Sequence, residues 1–292
     1  MLLAFGGQDF IGRIRRIGPG GVELEAWQDI TRIPEMAEPP DPEYDGRTPW
    51  STRDLSPQQR WFYERGSSLI FHLHHRGVDA YKLQGRDRDR YRRIVLWVAR
   101  AALNQREYFK AFETLQAIEH LPDLNYDELF FLAVGYWFVA PDAKPDDEER
   151  DDEEGRRRRH FLQRARRLLE RATKESPSEA QAHWALGYIY DELGQYDRAI
   201  QENRVAIEKD STHFHNWGYW NMAVSHLKKK DTQAAIAALE KIPAGEWWDE
   251  IRKDKELAPL EPEGEGPFGE LCRTRAPGED PPQKEASASV ES

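Results

Sequence analysis

Residues 180–211 read AQAHWALGYIYDELGQYDRAIQENRVAIEKDS, and this stretch decides the fold of the chain. Small and large apolar residues recur at helical spacing on both sides of Gly194, which is the pattern of a buried helical face. A glycine at this point favours a turn, because glycine adopts the left-handed backbone conformation that ends many helices. The stretch therefore predicts two amphipathic α-helices joined by a tight turn.

The residues at fixed offsets make this prediction more specific. They are Leu186, Gly187, Tyr190, Gly194, Tyr196, Ala199, Ala206 and Asp210. With them the stretch resembles a tetratricopeptide repeat, a helix–turn–helix unit of about 34 residues. Two family positions depart, since the usual Trp lies one residue late, at Trp184, and Ser211 replaces the closing Pro.

The same register extends from this unit in both directions. Units beginning at Arg92 and Tyr126 precede it, and a weaker unit that lacks the turn glycine begins near Asn216. The second unit matches only if a segment of about 20 residues, at about 139–158, is inserted between its two helices. This insertion is rich in Asp, Glu and Arg, and we interpret it as a solvated loop, with a charged docking arm as the alternative.

The resemblance implies a mainly α fold, an α-solenoid of helix–turn–helix repeats, to which the sequence adds a small N-terminal β-hairpin segment. Strand-forming residues on both sides of Gly18-Pro-Gly-Gly21 predict that hairpin. The predicted segments are a small β-strand module at 1–33, a Pro-rich linker at 34–55, an N-terminal helix packing on the array at 56–85, the repeat array at 86–246, a C-terminal helical cap at 247–274 and a disordered tail at 275–292.

Composition limits the kinds of partner and compartment. The 292 residues carry a net charge of -11, which disfavours nucleic acid and anionic membranes as default partners. The single cysteine, Cys272, excludes an intramolecular disulfide and a cysteine-based zinc site. The N-terminus lacks the pattern of a secretory signal, and the apolar run 130–140 is too short to cross a bilayer. We therefore expect a cytoplasmic protein.

The family resemblance also implies which side chains face a partner, because the first helix of each unit lines the concave surface. Trp, Tyr and Arg dominate binding hot spots. The predicted partner-binding residues are Arg93, Arg100, Phe130, Trp137, Trp184, Tyr188, Trp217 and Trp220. The alternative is that the aromatic side chains pack against neighbouring helices. The carboxylate clamp with which the family holds chaperone tails is not expected, because Leu96 and Arg100 stand where its Lys and Asn would be.

We interpret the chain as a non-enzymatic scaffold that binds a peptide or protein segment in the concave groove. No nucleophile, phosphate-loop or metalloprotease motif occurs, and histidines such as His72 and His75 lack a placed carboxylate, so no catalytic residue, metal or cofactor is predicted. The alternative is an RNA- or ribosome-associated adaptor that uses the strand module and the basic segment 86–106. The partner's identity and the oligomeric state stay open.

Overall fold

The computed structural model describes residues 55–75, 83, 85–140, 153–261 and 264–276, together with the backbone of four short strands near the N-terminus. The described residues form eleven α-helices, so the protein is mainly α, as predicted. The chain divides into two compact units, Met1–Pro177 and Ser178–Ser292. Within the described part of the chain, no helix is both long and apolar enough to span a bilayer.

The strands precede the helices and pair as two antiparallel ribbons. Gly18 and Gly21 face each other at the turn of the longer ribbon, and the register shifts between Ile14 and Arg16. Most of the predicted β module and the linker at 34–55 lie outside the described residues, so both stay predictions. The strands are β1 (Ala4–Phe5), paired with β2 (Gln8–Asp9), and β3 (Arg13–Gly18), paired with β4 (Gly21–Glu25).

The first unit contains five described helices, four of which pack as two pairs. They are α1 (Pro57–His75), α2 (Gly85–Asn104), α3 (Tyr108–Gln116), α4 (Tyr126–Val139) and α5 (Glu153–Glu175). The pairs α2–α3 and α4–α5 correspond to the units expected from Arg92 and Tyr126. Part of the predicted insertion belongs to α5, because Glu153 and Glu154 in its first turn complement the positive end of the helix dipole.

Helix α1 packs closely on α2 and reaches the turn before α3. The ring of Phe62 meets that of Trp97 edge-on, with 4.8 Å between centroids. A β-carbon at Gly66 would lie 2.5 Å from the side chain of Val98, so only glycine permits this approach. The Tyr63 hydroxyl donates a hydrogen bond to Glu107. Aromatic packing and one polar contact thus join α1 to the first repeat.

The second unit holds the stretch from which the fold was predicted. Its helices are α6 (Ala180–Glu192), α7 (Tyr196–Lys209), α8 (Ser211–Lys228), α9 (Thr232–Leu239), α10 (Trp247–Ile251) and α11 (Pro267–Arg275), with a 3-10 turn at Ala258–Leu260. Helix α8 begins before Asn216, the expected start, because the Asp210 carboxylate accepts hydrogen bonds from the backbone N–H groups of Thr212 and His213 at 3.0 and 3.2 Å. Such a cap fixes the first turn of a helix.

Small residues let the two helices of a repeat approach each other. Ala199 is fully buried, and a β-carbon at Gly187 would lie 2.6 Å from Asn203 Nδ2 and 3.2 Å from the carbonyl oxygen of Ala199. Asn203 itself is buried, and its side chain donates to the carbonyl oxygen of Ala199 at 2.9 Å. The absence of a side chain at Gly187 therefore sets the distance between α6 and α7.

The same turn ends α2, α6 and α8, although only α6 is followed by glycine. Arg106, Gly194 and Lys230 have φ angles of 60°, 71° and 64°. After Gly194, the N–H of Gln195 donates to the carbonyl oxygen of Tyr190 at 2.8 Å, and equivalent bonds of 2.9 Å follow Arg106 and Lys230. This pattern is a Schellman motif, which satisfies carbonyl groups at the helix end. The missing glycine at Lys230 therefore leaves the turn geometry intact.

Candidate binding faces of the repeats

The second unit brings together an aromatic cluster from α6, α8 and α10. We call Trp184, Phe214, Trp217, Trp220 and Trp247 the tryptophan face. The ring of Trp217 stacks on Trp220 with 5.6 Å between centroids and an interplanar angle of 3°. Its edge-to-face contacts reach Trp247 at 4.8 Å and Trp184 at 6.2 Å. Three predicted partner-binding residues, one from α6 and two from α8, thus share one aromatic surface with α10.

The members of the tryptophan face differ in exposure. Trp184 is only 9% exposed and lies against Phe214, with 6.0 Å between ring centroids. Its main role is therefore packing, which was the alternative interpretation. Trp217, Trp220 and Trp247 are half-buried, and so is Tyr188 on α6. These four side chains are held in place on one side and accessible on the other.

Polar contacts border the tryptophan face. The Asp191 carboxylate accepts hydrogen bonds from Ser225 Oγ at 2.6 Å and from Lys228 Nζ at 2.7 Å. Lys228 Nζ also lies 3.1 Å from Glu256. Burial by itself would lower the pKa of Lys228, but the two carboxylates outweigh it and raise that pKa. The ammonium group therefore stays charged and links α6, α8 and the segment after α10.

The C-terminal segment covers part of the groove predicted for the fourth repeat. Trp220 and Leu227 pack against the core that includes Trp248 and Leu257. Trp220 Nε1 donates to Asp254 Oδ2 at 2.5 Å, across the same 34-residue separation that joins Asp191 to Ser225. The segment after α10 thus takes the place that the first helix of a following repeat would have. The open part of this face is therefore smaller than the sequence alone suggested.

In the first unit the predicted partner-binding residues have different environments. Phe130 is only 1% exposed and packs between Tyr126 and Phe131, at 6.0 and 5.3 Å between ring centroids, so it supports the repeat rather than a partner. The half-buried Trp137 stacks on the neighbouring Phe138 ring at 5.2 Å. The predicted partner-binding residues of this unit also include two arginines. Arg93 is exposed, and the guanidinium of Arg100 lies 5.3 Å from the centroid of the Phe131 ring.

The basic segment 86–106, on which the RNA-binding alternative depends, is partly neutralised. Arg92 donates from Nε to the buried carboxylate of Glu128 at 2.6 Å and from Nη2 to the carbonyl oxygen of Asp123 at 2.9 Å. Arg88 pairs with the Asp123 carboxylate. Burial would raise the pKa of Asp123, but backbone hydrogen bonding and the two arginines together lower it. These two arginines therefore stabilise the repeat and are poorly placed to bind phosphate.

Sequence reasoning missed two members of the tryptophan face. Phe214 precedes Trp217 by one helical turn, a spacing that puts both on one side of α8. The predicted start of the fourth unit, near Asn216, left Phe214 outside the helix, whereas α8 begins at Ser211. Trp247 was assigned to the C-terminal cap, but its contact with α8 depends on the loop through Gly245 and carries no local signal. In the described ranges, no cluster of three or more His, Cys, Asp or Glu side chains is arranged to hold a metal ion.

The tetratricopeptide repeat family model matches residues 155–213. This range covers α5, α6 and α7 and enters the first turn of α8. The tetratricopeptide repeat recognised from the sequence is therefore confirmed over residues 155–213. Stacked repeats of this kind present extended surfaces to other proteins. The class of protein defined by fold and sequence is thus a repeat protein of the interaction-scaffold type.

Solved structures resemble the chain loosely. A crystal structure of MamA has 16% sequence identity and a TM-score of 0.44, and the match covers 65% of this chain and 92% of that one. A thermophilic TPR protein from Thermus thermophilus has 18% identity and a TM-score of 0.40, over 66% of this chain and 83% of that one. Identities and TM-scores this low carry no statement about function. None of the curated proteins compared with the chain matches it.

Proposed function

We propose that the chain is a cytoplasmic, non-enzymatic scaffold that binds a peptide or protein segment through the tryptophan face of its second unit. The observation that supports this most is the half-buried triad of Trp217 and Trp220 on α8 and Trp247 on α10. Tryptophan is enriched in hot spots because a large rigid ring buries much area at little cost in conformational entropy. The neighbouring Tyr188 extends this surface along α6.

The contacts beneath the face favour binding without rearrangement. Each indole already rests on another ring, and Trp220 Nε1 is held by Asp254. Asp191 and Lys228 fix α6 relative to α8. A preorganised surface loses little entropy when a partner binds, so more of the contact energy appears as affinity.

Replacement of two accessible aromatic residues tests the proposal. Peptides selected from a random displayed library on the full wild-type chain would be measured against Tyr188→Ala/Trp217→Ala by fluorescence anisotropy. Loss of a hot-spot side chain costs about 2 kcal/mol or more, so we expect affinity to fall at least roughly thirtyfold. The variant's circular dichroism spectrum must stay that of the folded chain.

The matched control is Tyr219→Ala. Tyr219 is also a half-buried aromatic residue of α8, but it packs against the C-terminal core and meets the ring of His215 at 4.9 Å between centroids. The selected peptides should bind this variant with wild-type affinity. Equal affinity for wild type and for Tyr188→Ala/Trp217→Ala would remove the tryptophan face as the binding site.

A further inference from the structure

A cleft of about 600 Å³ lies between α9 and the segment that follows α10. It belongs to the second unit and is separate from the tryptophan face, because it is formed by the second helix of the fourth repeat. One side is a continuous stripe of α9, and the other is apolar apart from the acidic side chain of Glu261. The lining residues are Thr232, Gln233, Ile236, Ala237, Glu240, Pro259, Leu260, Glu261, Pro267 and Phe268.

In the first repeat the equivalent stripe is covered by a helix. Ile236 follows the fully buried Ala235, as Phe112 follows Ala111 in α3. Phe112 is buried and meets the Tyr136 ring of α4 edge-on, with 4.9 Å between centroids. Ile236 is only half-buried, and the C-terminal segment leaves open the space beside it. The cleft is therefore the part of the next helix's position that the C-terminal segment leaves unfilled.

The charges at the cleft select among possible occupants. Glu240 and Glu261 are exposed and line the cleft, and within the described part of the chain neither carboxylate forms a salt bridge. Arg275 does not neutralise Glu240, since it donates to the backbone carbonyl oxygens of Glu240 and Ile242. An apolar floor formed by Ile236 and its neighbours, between two carboxylates, complements an apolar stripe bordered by cationic side chains.

We propose that this cleft, the α9 cleft, binds an amphipathic helix of a partner protein whose apolar stripe is bordered by Lys or Arg. Apolar side chains of that helix lie on Ile236 and on the exposed rings of Pro259 and Pro267, and its cationic side chains lie beside Glu240 and Glu261. Helix-in-groove recognition of this kind depends on apolar anchors at helical spacing. The site adds a second binding surface to the scaffold and does not depend on the tryptophan face.

Two designed peptides test the proposal on the full chain. Both are amphipathic helices of about four turns with Leu at core-facing positions, one with Lys and the other with Glu at the remaining positions. Fluorescence anisotropy should show that the Leu/Lys peptide binds wild type at least roughly tenfold more tightly than the Leu/Glu peptide. The charge-reversed variant Glu240→Lys/Glu261→Lys should show the opposite preference.

Two further variants separate specific docking from general attraction to an acidic protein. Glu179→Lys/Glu208→Lys changes the net charge equally at exposed sites outside the cleft and should keep the wild-type preference. Ala237→Gln fills the cleft with a neutral, helix-compatible side chain and should weaken binding of the Leu/Lys peptide. An unchanged preference in Glu240→Lys/Glu261→Lys, or tight binding to Ala237→Gln, would overturn the proposal.

Sedimentation of the unliganded chain tests whether a second copy of this chain, rather than a partner's helix, occupies the α9 cleft. Concentration-dependent self-association that Ala237→Gln abolishes would assign the cleft to a second copy of this chain and would also overturn the proposal. Peptide binding at the tryptophan face is measured independently with Tyr188→Ala/Trp217→Ala, because these substitutions leave the lining of the α9 cleft unchanged. Failure of one site is thus distinguishable from failure of the other.

Discussion

At the scale of single residues, the turns after α2, α6 and α8 each require a positive φ angle, which Arg106, Gly194 and Lys230 adopt. Gly194→Ala should lower the free energy of unfolding by about 1 kcal/mol, because alanine in the left-handed region is strained. No atom lies within 4 Å of the added β-carbon, so the loss reflects the backbone alone. Urea titration measures it. Lys230→Gly, at the equivalent position, should raise stability, and a loss there would contradict this account of the turn.

His226 on α8 gives a residue-scale prediction about pH. Burial lowers its pKa below the ordinary value of 6.5, and the nearby Lys229 and Arg204 act in the same direction against Asp231 and Asp197. The unfolded chain therefore binds a proton at this site more readily than the folded one. Stability should fall as the pH is lowered through 6.5 toward the depressed pKa of the folded state. His226→Gln should lose less stability over that interval, as measured by urea titration at several pH values; a parallel loss would show that His226 does not contribute.

At the scale of elements, Arg92 of α2 meets the start of α4 at Glu128. The Glu128 carboxylate accepts from the backbone N–H of Asn125 at 2.9 Å, and Asn125 accepts from the N–H of Glu128 at 3.0 Å. This capping box satisfies N–H groups at the beginning of α4 while the same carboxylate pairs with Arg92. One side chain therefore both starts a helix and joins it to the preceding repeat.

The substitution Glu128→Gln separates these two roles, because glutamine still completes a capping box but carries no charge. Removal of one partner from a buried ion pair costs about 3 kcal/mol, so the urea midpoint of the first unit should fall clearly. In the double variant Arg92→Met/Glu128→Gln the loss should be smaller than the sum of the single losses. Additive losses would mean that the pair contributes no coupling energy.

The helices of the repeats were predictable from sequence, because spacing within each helix is a local property. The fixed small residues, such as Ala199, and the turn at Gly194 placed α6 and α7 before the structure was known. The environment of Phe130 was not predictable in this way. A repeat position specifies which side of a helix a residue occupies, but not what covers that side. For Trp220 the covering residues lie more than thirty positions further along the chain, at Asp254 and its neighbours.

At the scale of the whole molecule, the way the array ends decides whether its core is closed. A chain cut after Glu246 loses the large core side chains of Trp248, Ile251, Leu257 and Phe268, all of them nearly or fully buried. Burying four such side chains contributes up to about 6–12 kcal/mol, which is comparable to the stability of an entire domain. The second unit should therefore unfold or associate through exposed apolar surface, because a repeat array needs a closed end.

Size-exclusion chromatography with light scattering and thermal melting by circular dichroism measure this outcome. The control is a chain cut after Ala276, which keeps α10 and α11 and removes only 277–292. It should elute and melt like the full chain. A monomeric, cooperatively melting product from the cut after Glu246 would show that α6 to α9 form a complete core by themselves. In that case the contacts of Trp248 and Phe268 would serve the α9 cleft rather than the stability of the unit.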